Sequence, residues 1–490
     1  MKRRSTRRDF LRTASASAAA ATLSKLTRGA FAGPARDKRP NFVLLVGEDM
    51  SPDIGAYGVP FAHTPNLDKL AAQGARFNHC FTHCGVCAPS RSGMITGQYP
   101  TAIGTHHMRS TLLNPPPLFT QHLQKAGYTV SWTNKTDFNF ADSHDHFDNK
   151  KDWTSGDLPD GPFFAFFNDV TSHESQVRGT PKMHARNTRR LTPDQRQDPE
   201  KLPLPPFYPD TPEVRNDVRQ YHELCTAVDY KVGDVMAMLE RKGLADNTVV
   251  IFTGDHGRGM PRMKRWCYDD GTHIPLIVRW PGHIEPGTVR DDLVGMIDLP
   301  ATVLSLAGIE PPKEFHGQPY LGPAARKRQY VYAHRDRMDE AYDRIRSVRD
   351  DRYRYIRNFQ PDVPYAQYIN YNELNPIMQS WREQGKEGKL TGPQRAFFAP
   401  TKPVEELYDC ATDPSNVKNL IGSADPAIIT KRQELSAALD QWIKDTNDLG
   451  AVPEQELIRR GLVADRLNTE YAERLKLHPK DPPYLPPIPG

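Results

Sequence analysis

Three short stretches of this 490-residue chain combine residue types that could do chemistry together. The densest is Cys87-Ala88-Pro89-Ser90-Arg91, trailed by Thr96-Gly97. It offers a sulfur nucleophile two residues ahead of a proline and four ahead of a fixed cation. By residue type alone it is equally a buried cysteine in a turn before a helix. The second stretch, Asn41-Phe42-Val43-Leu44-Leu45-Val46-Gly47-Glu48-Asp49, is an apolar run ending in adjacent carboxylates. Such a pair could bind a divalent cation or simply cap the next segment. The third is the run 248–255, which ends in Asp255 and continues into His256-Gly257. Carboxylate oxygens and imidazole nitrogens are both metal donors. Glu48, Asp49, Asp255 and His256 could therefore converge on one ion if the fold brings the two run ends together.

Short apolar runs at 41–47, 128–133, 163–170, 248–255 and 275–280 read as buried parallel strands. Helical patterns lie between them. Residues 65–77 carry Leu67, Leu70 and Ala71 at helical spacing, with Pro65 suited to a first turn. Residues 213–242 carry Val214, Val218, Tyr221, Cys225, Val228, Val232, Val235 and Leu239 on one stripe, closed by Gly243. Strands alternating with helices predict an α/β fold with a mostly parallel central sheet flanked by helices. In such sheets ligands gather beyond the carboxyl ends of the strands, where these polar residues fall. From about residue 324 the pattern changes to short strands at 330–334, 344–348 and 352–359, then a charged helix at 427–446. That predicts a catalytic domain over 39–323, a smaller C-terminal α+β subdomain with an antiparallel sheet over 324–480, and a Pro-rich tail at 481–490.

Apolar residues make up 38% of the chain and charged residues 25%, a balance that builds a core rather than a disordered chain. The net charge of +4 misleads, because the first 32 residues carry eight Lys/Arg and one Asp. The remainder is mildly acidic, which argues against nucleic acid as a partner. Six cysteines in so long a chain make no disulfide scaffold. Cys80 and Cys84 could pair or stay as buried thiols, and their spacing alone makes no zinc site. Within residues 1–32, Arg7-Arg8 precede Phe10-Leu11, a weakly apolar Ala/Ser stretch follows, and Ala30-Phe31-Ala32 offers small residues for cleavage. This resembles a bacterial twin-arginine signal, implying export through the Tat translocase to the periplasm or beyond. No other segment has the ~18 apolar residues needed to span a membrane.

From Arg39 to about Leu420 the chain resembles the formylglycine-dependent sulfatases of the alkaline-phosphatase superfamily. The likeness rests on Cys87-Ala88-Pro89-Ser90-Arg91 with Thr96-Gly97, on Arg39-Pro40-Asn41 leading to Glu48-Asp49, and on His63-Thr64-Pro65-Asn66-Leu67-Asp68. It continues through Pro162-Phe163-Phe164 ahead of His173, Asp255-His256, and Glu406-Leu407-Tyr408-Asp409 with Asp413-Pro414 and Asn419-Leu420. The resemblance implies that a formylglycine-generating maturation enzyme converts Cys87 to 3-oxoalanine, whose hydrate attacks sulfur. It makes Glu48, Asp49, Asp255 and His256, with modified Cys87, the ligands of a divalent metal, calcium first, manganese or another ion second. Arg91 would orient the hydrate, Lys135 and Lys264 would meet the sulfate, and His173 would protonate the leaving group. Three positions depart from the family pattern. Glu48 stands where Asp is usual, Asp137 where a His is usual, and His256 where an Asn is usual. Imidazole suits manganese or zinc better than calcium.

The C-terminal layout is similar to heparan N-sulfatase, through Phe359-Gln360-Pro361-Asp362-Val363-Pro364, Trp381 and the Pro-rich approach at 202–213. That makes N-sulfoglucosamine or a related sulfated carbohydrate the expected substrate. His106, His107, Arg109, His334, Arg335 and Arg337 could line an anionic sugar pocket or form a polar surface; Asp137, His107 and Arg335 are the substrate candidates. An O-sulfatase on another polysaccharide is the alternative, and so is a phosphonate monoester or phosphodiester hydrolase sharing Cys87 and Asp255-His256. A non-catalytic glycan-binding relative is disfavoured by the full catalytic set.

Overall fold

Strand β1 (Asn41–Gly47) is buried at all seven positions, as a strand must be when helices cover both faces of its sheet. Phe42, Leu44 and Val46 pack on one face with Phe164, Phe166, Val249 and Ile251. Val43 and Leu45 pack on the other with Val250 and Phe252. The remaining strands of this sheet are β2 (Ala75–Phe81), β3 (Thr129–Trp132), β4 (Phe163–Asp169), β5 (Thr248–Gly254), β6 (Leu276–Arg279) and β7 (Thr288–Gly295), in the order β3-β4-β1-β5-β6-β2-β7. β1 lies between β4 and β5 and is parallel to both, with Gly47 in register with Asp169 and with Gly254. Three adjacent strands thus release the chain at one level of one sheet edge, which sets up the site. The computed structural model describes residues 39–133, 135–141, 146–148, 159 and 161–466. The expected leader at 1–32 and tail at 481–490 fall outside those residues.

Two local expectations are corrected. The run at 275–280 forms β6, but it runs antiparallel to both β5 and β2. An apolar run does not encode direction; here no crossover helix carries the chain back after β5, so it re-enters from the edge it left. The helix expected over 65–77 is α1 (Pro65–Ala72) only. Gly74 then presses the chain against β6, where a Cβ would lie 2.2 Å from the Val278 carbonyl oxygen. β2 begins at the next residue.

The long helix α3 (Pro212–Arg241) follows α2 (Cys87–Thr96) and buries every member of the predicted stripe. Thr211 accepts the Val214 N–H at its start, and Gly243 takes a left-handed φ of 63° just past its end. The C-terminal third forms β8 (Val331–Arg335), β9 (Ile345–Arg349), β10 (Tyr353–Asn358) and β11 (Glu405–Asp409), all antiparallel in the order β11-β10-β9-β8. Helix α4 (Pro376–Lys386) packs on α3, and α5 (Pro426–Asp445) covers the small sheet through Leu435, Leu439 and Trp442. The fold is α/β, with a mostly parallel central sheet, helices on its faces and a C-terminal antiparallel sheet. Among the described residues no helix is long and apolar enough to cross a membrane.

Candidate active site

Cys87 is the first residue of α2, entered from extended Val86, and the whole helix is buried. Its Sγ lies 3.2 Å from His256 Nε2. The His256 ring is oriented by Nδ1, 2.9 Å from the Gly257 carbonyl oxygen. A carbonyl only accepts, so Nδ1 carries a proton and Nε2 is the ring nitrogen turned inward, the one available to a metal ion. It meets Asp49 Oδ1 at 3.1 Å and Asp255 Oδ2 at 3.8 Å. Asp49 sits at a left-handed φ of 56°, and its N–H donates to Asp255 Oδ1 at 2.9 Å. Donor atoms of Asp49, Cys87, Asp255 and His256 lie within 4.8 Å of one another, all buried. Two carboxylates, an inward imidazole nitrogen and residue 87 form a donor set that fits a divalent cation. The four come from the carboxyl ends of β1 and β5 and the start of α2. Gly257 belongs to the same construction: a Cβ there would lie 2.1 Å from the Asp270 carbonyl oxygen.

Glu48, the fifth expected ligand, is not in this donor cluster. Its longer side chain accepts from Asn168 Nδ2 at 2.5 Å, Arg91 Nη2 at 3.3 Å and Lys135 Nζ at 3.0 Å. Arg91 is fully buried and also donates to Asp255 Oδ2 from Nε (3.2 Å) and Nη2 (2.9 Å). Lys264 spans Asp49, at 3.0 and 2.9 Å, and Glu174, at 2.7 Å. Each carboxylate is therefore matched by a cation. Burial alone would raise the Asp49 carboxyl, but Lys264 beside it holds it below its ordinary value. Burial would likewise lower the Lys135 and Lys264 ammoniums; the surrounding anionic groups hold both above the ordinary range. For His256, burial opposes the charged form, yet the Asp255, Cys87 and Asp49 side chains push the ring up to about 8.

His173 follows β4 and caps a single helical turn, its Nδ1 accepting from the Ser175 N–H. Burial, then Lys264, lowers its pKa from the ordinary value. Three residues of the constellation escaped the sequence reading. Asn168 holds both Glu48 and Arg91. Glu174 donates its N–H to Asp49 and pairs with Lys264 and Arg265. Arg265 takes a φ of 75° beside Lys264. Adjacency to His173 and Lys264 was the signal for the last two.

The expected sugar-pocket residues divide. Asp137 is a third exposed, at a φ of 50°, with its carboxylate 3.9 Å from Lys135. Arg109 is 40% exposed at its side chain and pairs with Asp339 at 3.3 Å. The others form neither an open surface nor an open lining: His106, His107, His334, Arg335 and Arg337 are all buried. Arg335 donates to the Arg265 carbonyl and to Gln367, and Arg337 forks onto Glu454 at 2.6 and 2.7 Å. All six cysteines are free and buried, so Cys80 and Cys84 are thiols.

Comparison with known proteins bears on what this arrangement does. Residues 40–309 match the family described as Sulfatase, and residues 257–368 match N-sulphoglucosamine sulphohydrolase, C-terminal. An ulvan-active sulfatase from Formosa agariphila is 35% identical over 86% of this chain and 78% of its own length. Human N-sulphoglucosamine sulphohydrolase is 26% identical over 85% of this chain and 92% of its own. The solved phosphonate monoester hydrolase of Agrobacterium radiobacter shares the fold, with a TM-score of 0.61 at 17% identity over 84% of this chain and 97% of that one.

Proposed function

The chain belongs to the sulfatase family and is a sulfuric ester hydrolase, and from that premise we propose that it removes sulfate from a sulfated glycan, with Cys87 converted to formylglycine beside a divalent cation. The observation that carries this reading is the meeting of Asp49, Cys87, Asp255 and His256 donor atoms within 4.8 Å, with Arg91 and Lys264 bonded to the same carboxylates. The hydrated aldehyde presents two hydroxyls. One attacks sulfur in line and expels the alcohol or amine; the other gives up its proton as the carbon–oxygen bond to sulfate breaks, restoring the aldehyde. Asp49, Asp255, His256 and residue 87, with Glu48 beside them, would hold the cation, which would supply Lewis acidity to lower the hydroxyl pKa. Calcium is the first choice and manganese the second. Arg91 orients the hydrate. Lys135 and Lys264 take the sulfate oxygens, where charge develops. His173 protonates the leaving group. Asp137 faces the substrate, while His107 and Arg335 support the pocket from the buried layer behind it.

The 35% identity to an ulvan-active sulfatase favours an O-sulfate ester of a polysaccharide. A sulfamate of N-sulfoglucosamine is the second reading, favoured by the C-terminal match over 257–368. Catalysis resides in 39–323 and the smaller 324–480 subdomain shapes the substrate end. The enzyme leaves the cytoplasm folded, by the twin-arginine route, for the periplasm or beyond, after meeting its maturation enzyme.

The test is sulfate release from ulvan fragments, 6-O-sulfated glucosamine and N-sulfated glucosamine in parallel, with a phosphonate monoester as control and the enzyme co-expressed with a formylglycine-generating partner. Release from at least one sulfated sugar, abolished more than a thousandfold by Cys87→Ala, is the expected result. Activity retained in that variant sinks the mechanism. Faster phosphonate than sulfate turnover replaces the substrate class.

A further inference from the structure

From Arg178 to Arg190 the chain holds five Lys/Arg and no Asp or Glu, although the sequence beyond residue 32 is mildly acidic. The run begins at the catalytic centre. His173 caps the single turn Glu174–Val177, and Arg178 closes that turn, its N–H donating to the Glu174 carbonyl at 3.2 Å. The Arg178 guanidinium lies 4.1 Å from the Tyr371 ring centroid and donates to the Tyr371 carbonyl at 2.8 Å. The same ring lies 5.8 Å from Arg265, which grips Glu174 beside Lys264. A short helix, Pro181–Asn187, comes next, with Thr180 as its cap. Its inner face is anchored, His184 Nε2 meeting Glu223 at 2.7 Å and Asn187 Nδ2 donating to Gln176 at 2.9 Å. Lys182 and Arg186, one turn apart, are exposed on its outer face, and Arg189 follows, exposed, with Nη1 on the Arg186 carbonyl. Exposed arginines elsewhere find a nearby acid, as Arg215 does in Asp210, Arg357 in Asp440 and Arg459 in Glu456. In this run Arg190 pairs with Asp234, at 2.5 and 3.1 Å. Among the described residues, Arg178, Lys182, Arg186 and Arg189 have no carboxylate within ion-pair distance.

We propose that Arg178, Lys182, Arg186 and Arg189 form a track for the anionic units of a sulfated polysaccharide, beyond the unit whose sulfate is removed at residue 87. The proposal rests on the glycan reading above. When sulfur is attacked, the group expelled is the sugar oxygen with the whole remaining chain attached. The polymer therefore extends on the side of the residue that protonates that oxygen, His173, and the track starts five residues further on. A helix of seven residues advances about 10 Å, so the four cations are strung along a line rather than gathered at one point. That arrangement suits a repeating polyanion and not a single small ion. Four like charges without anionic partners repel one another, and a polyanion laid along them removes that repulsion while holding substrate beside the site. Three of the four are arginines, whose planar forks match carboxylate oxygens.

Fluorescence anisotropy of labelled dextran sulfate and labelled neutral dextran, titrated with the full-length enzyme, tests the track. Dextran sulfate should bind, more weakly as NaCl is raised, and neutral dextran should not. Replacing three exposed side chains together, Lys182→Gln, Arg186→Gln and Arg189→Gln, should weaken dextran sulfate binding about tenfold. Lys182→Gln alone should give a smaller loss of the same kind, which keeps the test independent of how the triple variant folds. The kinetic readout is the ratio of kcat/KM for long chains to that for disaccharide fragments of whichever sulfated polysaccharide is turned over. The triple variant should lower that ratio about tenfold, through KM, and high salt should erode it in the wild type. Dextran sulfate binding unmoved by the substitutions, or an unmoved ratio, overturns the proposal. Anionic phospholipid vesicles bound more tightly than dextran sulfate would give the surface to a membrane and overturn it as well. Failure of the sulfatase reading looks different: the wild type releases no sulfate from any chain, while the binding titrations still decide whether the track holds a polyanion.

Discussion

One methylene separates Glu48 from the aspartate common in this family, and the structure shows where it leads. The Glu48 carboxylate reaches past the donor cluster to Asn168, Arg91 and Lys135, leaving Asp49, Asp255, His256 and residue 87 as the compact set. His256 matters more for ion choice, since its nitrogen replaces a hard amide oxygen and its orientation depends on the Gly257 carbonyl. His256→Asn should therefore shift metal preference towards calcium over manganese by about tenfold. Thermal shifts of the wild type and variant, titrated with each metal, check this; an unchanged ratio of apparent affinities would count against the imidazole as a ligand. At this scale the sequence was legible where a motif placed residues in order: Cys87, Arg91, Asp49, Asp255 and His256 do meet. It was not legible for His106, His107, His334, Arg335 and Arg337. Their types suggest a charged surface, yet each is buried, and partners such as Glu454 for Arg337 and Gln367 for Arg335 are ones that no local spacing announces.

The elements that hold these residues were readable in proportion to how purely apolar they are. β1 and β5 have no other way to satisfy seven buried positions, and the stripe of α3 fixes its rotation. β2 and β7 were missed because polar residues break their runs, and the β7 exposure pattern is that of an edge strand. One element contact carries its own prediction. Asp217 on α3 faces the start of α4, where its Oδ2 accepts the Ile377 N–H at 3.4 Å while its Oδ1 is buried without a hydrogen-bond partner. Burial pushes this carboxyl up to about 7. A group whose native pKa exceeds its unfolded value of about 3.9 favours the native state through proton uptake below that range, and that advantage is lost as pH rises towards 7. Asp217→Asn keeps an acceptor for Ile377 and removes the charge. The variant should match the wild type near pH 4 and exceed it by about 2 kcal/mol at pH 8 in urea unfolding. A gap that does not grow with pH would show that Asp217 is not buried as an acid.

At the scale of the whole molecule, the two sheets are joined by charge as well as by apolar packing. Asp269 sits on the excursion between β5 and β6 that also carries His256 and Lys264. It meets Arg349 Nε from β9 at 3.1 Å and Arg354 Nε from β10 at 2.6 Å, and Asn416 holds its N–H. Arg335 on β8 makes a second tie, to the Arg265 carbonyl beside Lys264. The small sheet therefore braces the segment that places two catalytic candidates. Burial alone would raise the Asp269 carboxyl, but Arg349 and Arg354 hold it well below the usual carboxylate range. Its contribution is fully present above the unfolded pKa of about 3.9 and is lost as pH falls through the depressed native value. Asp269→Asn leaves two buried guanidiniums short of an anion and should cost about 3–5 kcal/mol at pH 7. The deficit should stay constant from pH 8 to about 5 and shrink only below about 4. Because Lys264 shares this segment, kcat on a sulfated sugar should fall even under conditions where the variant is fully folded. Unfolding curves and kcat measured on one preparation decide the matter: a loss of stability with kcat intact would reduce the small sheet to a passive cover, and a loss of both would make it part of how Lys264 is held.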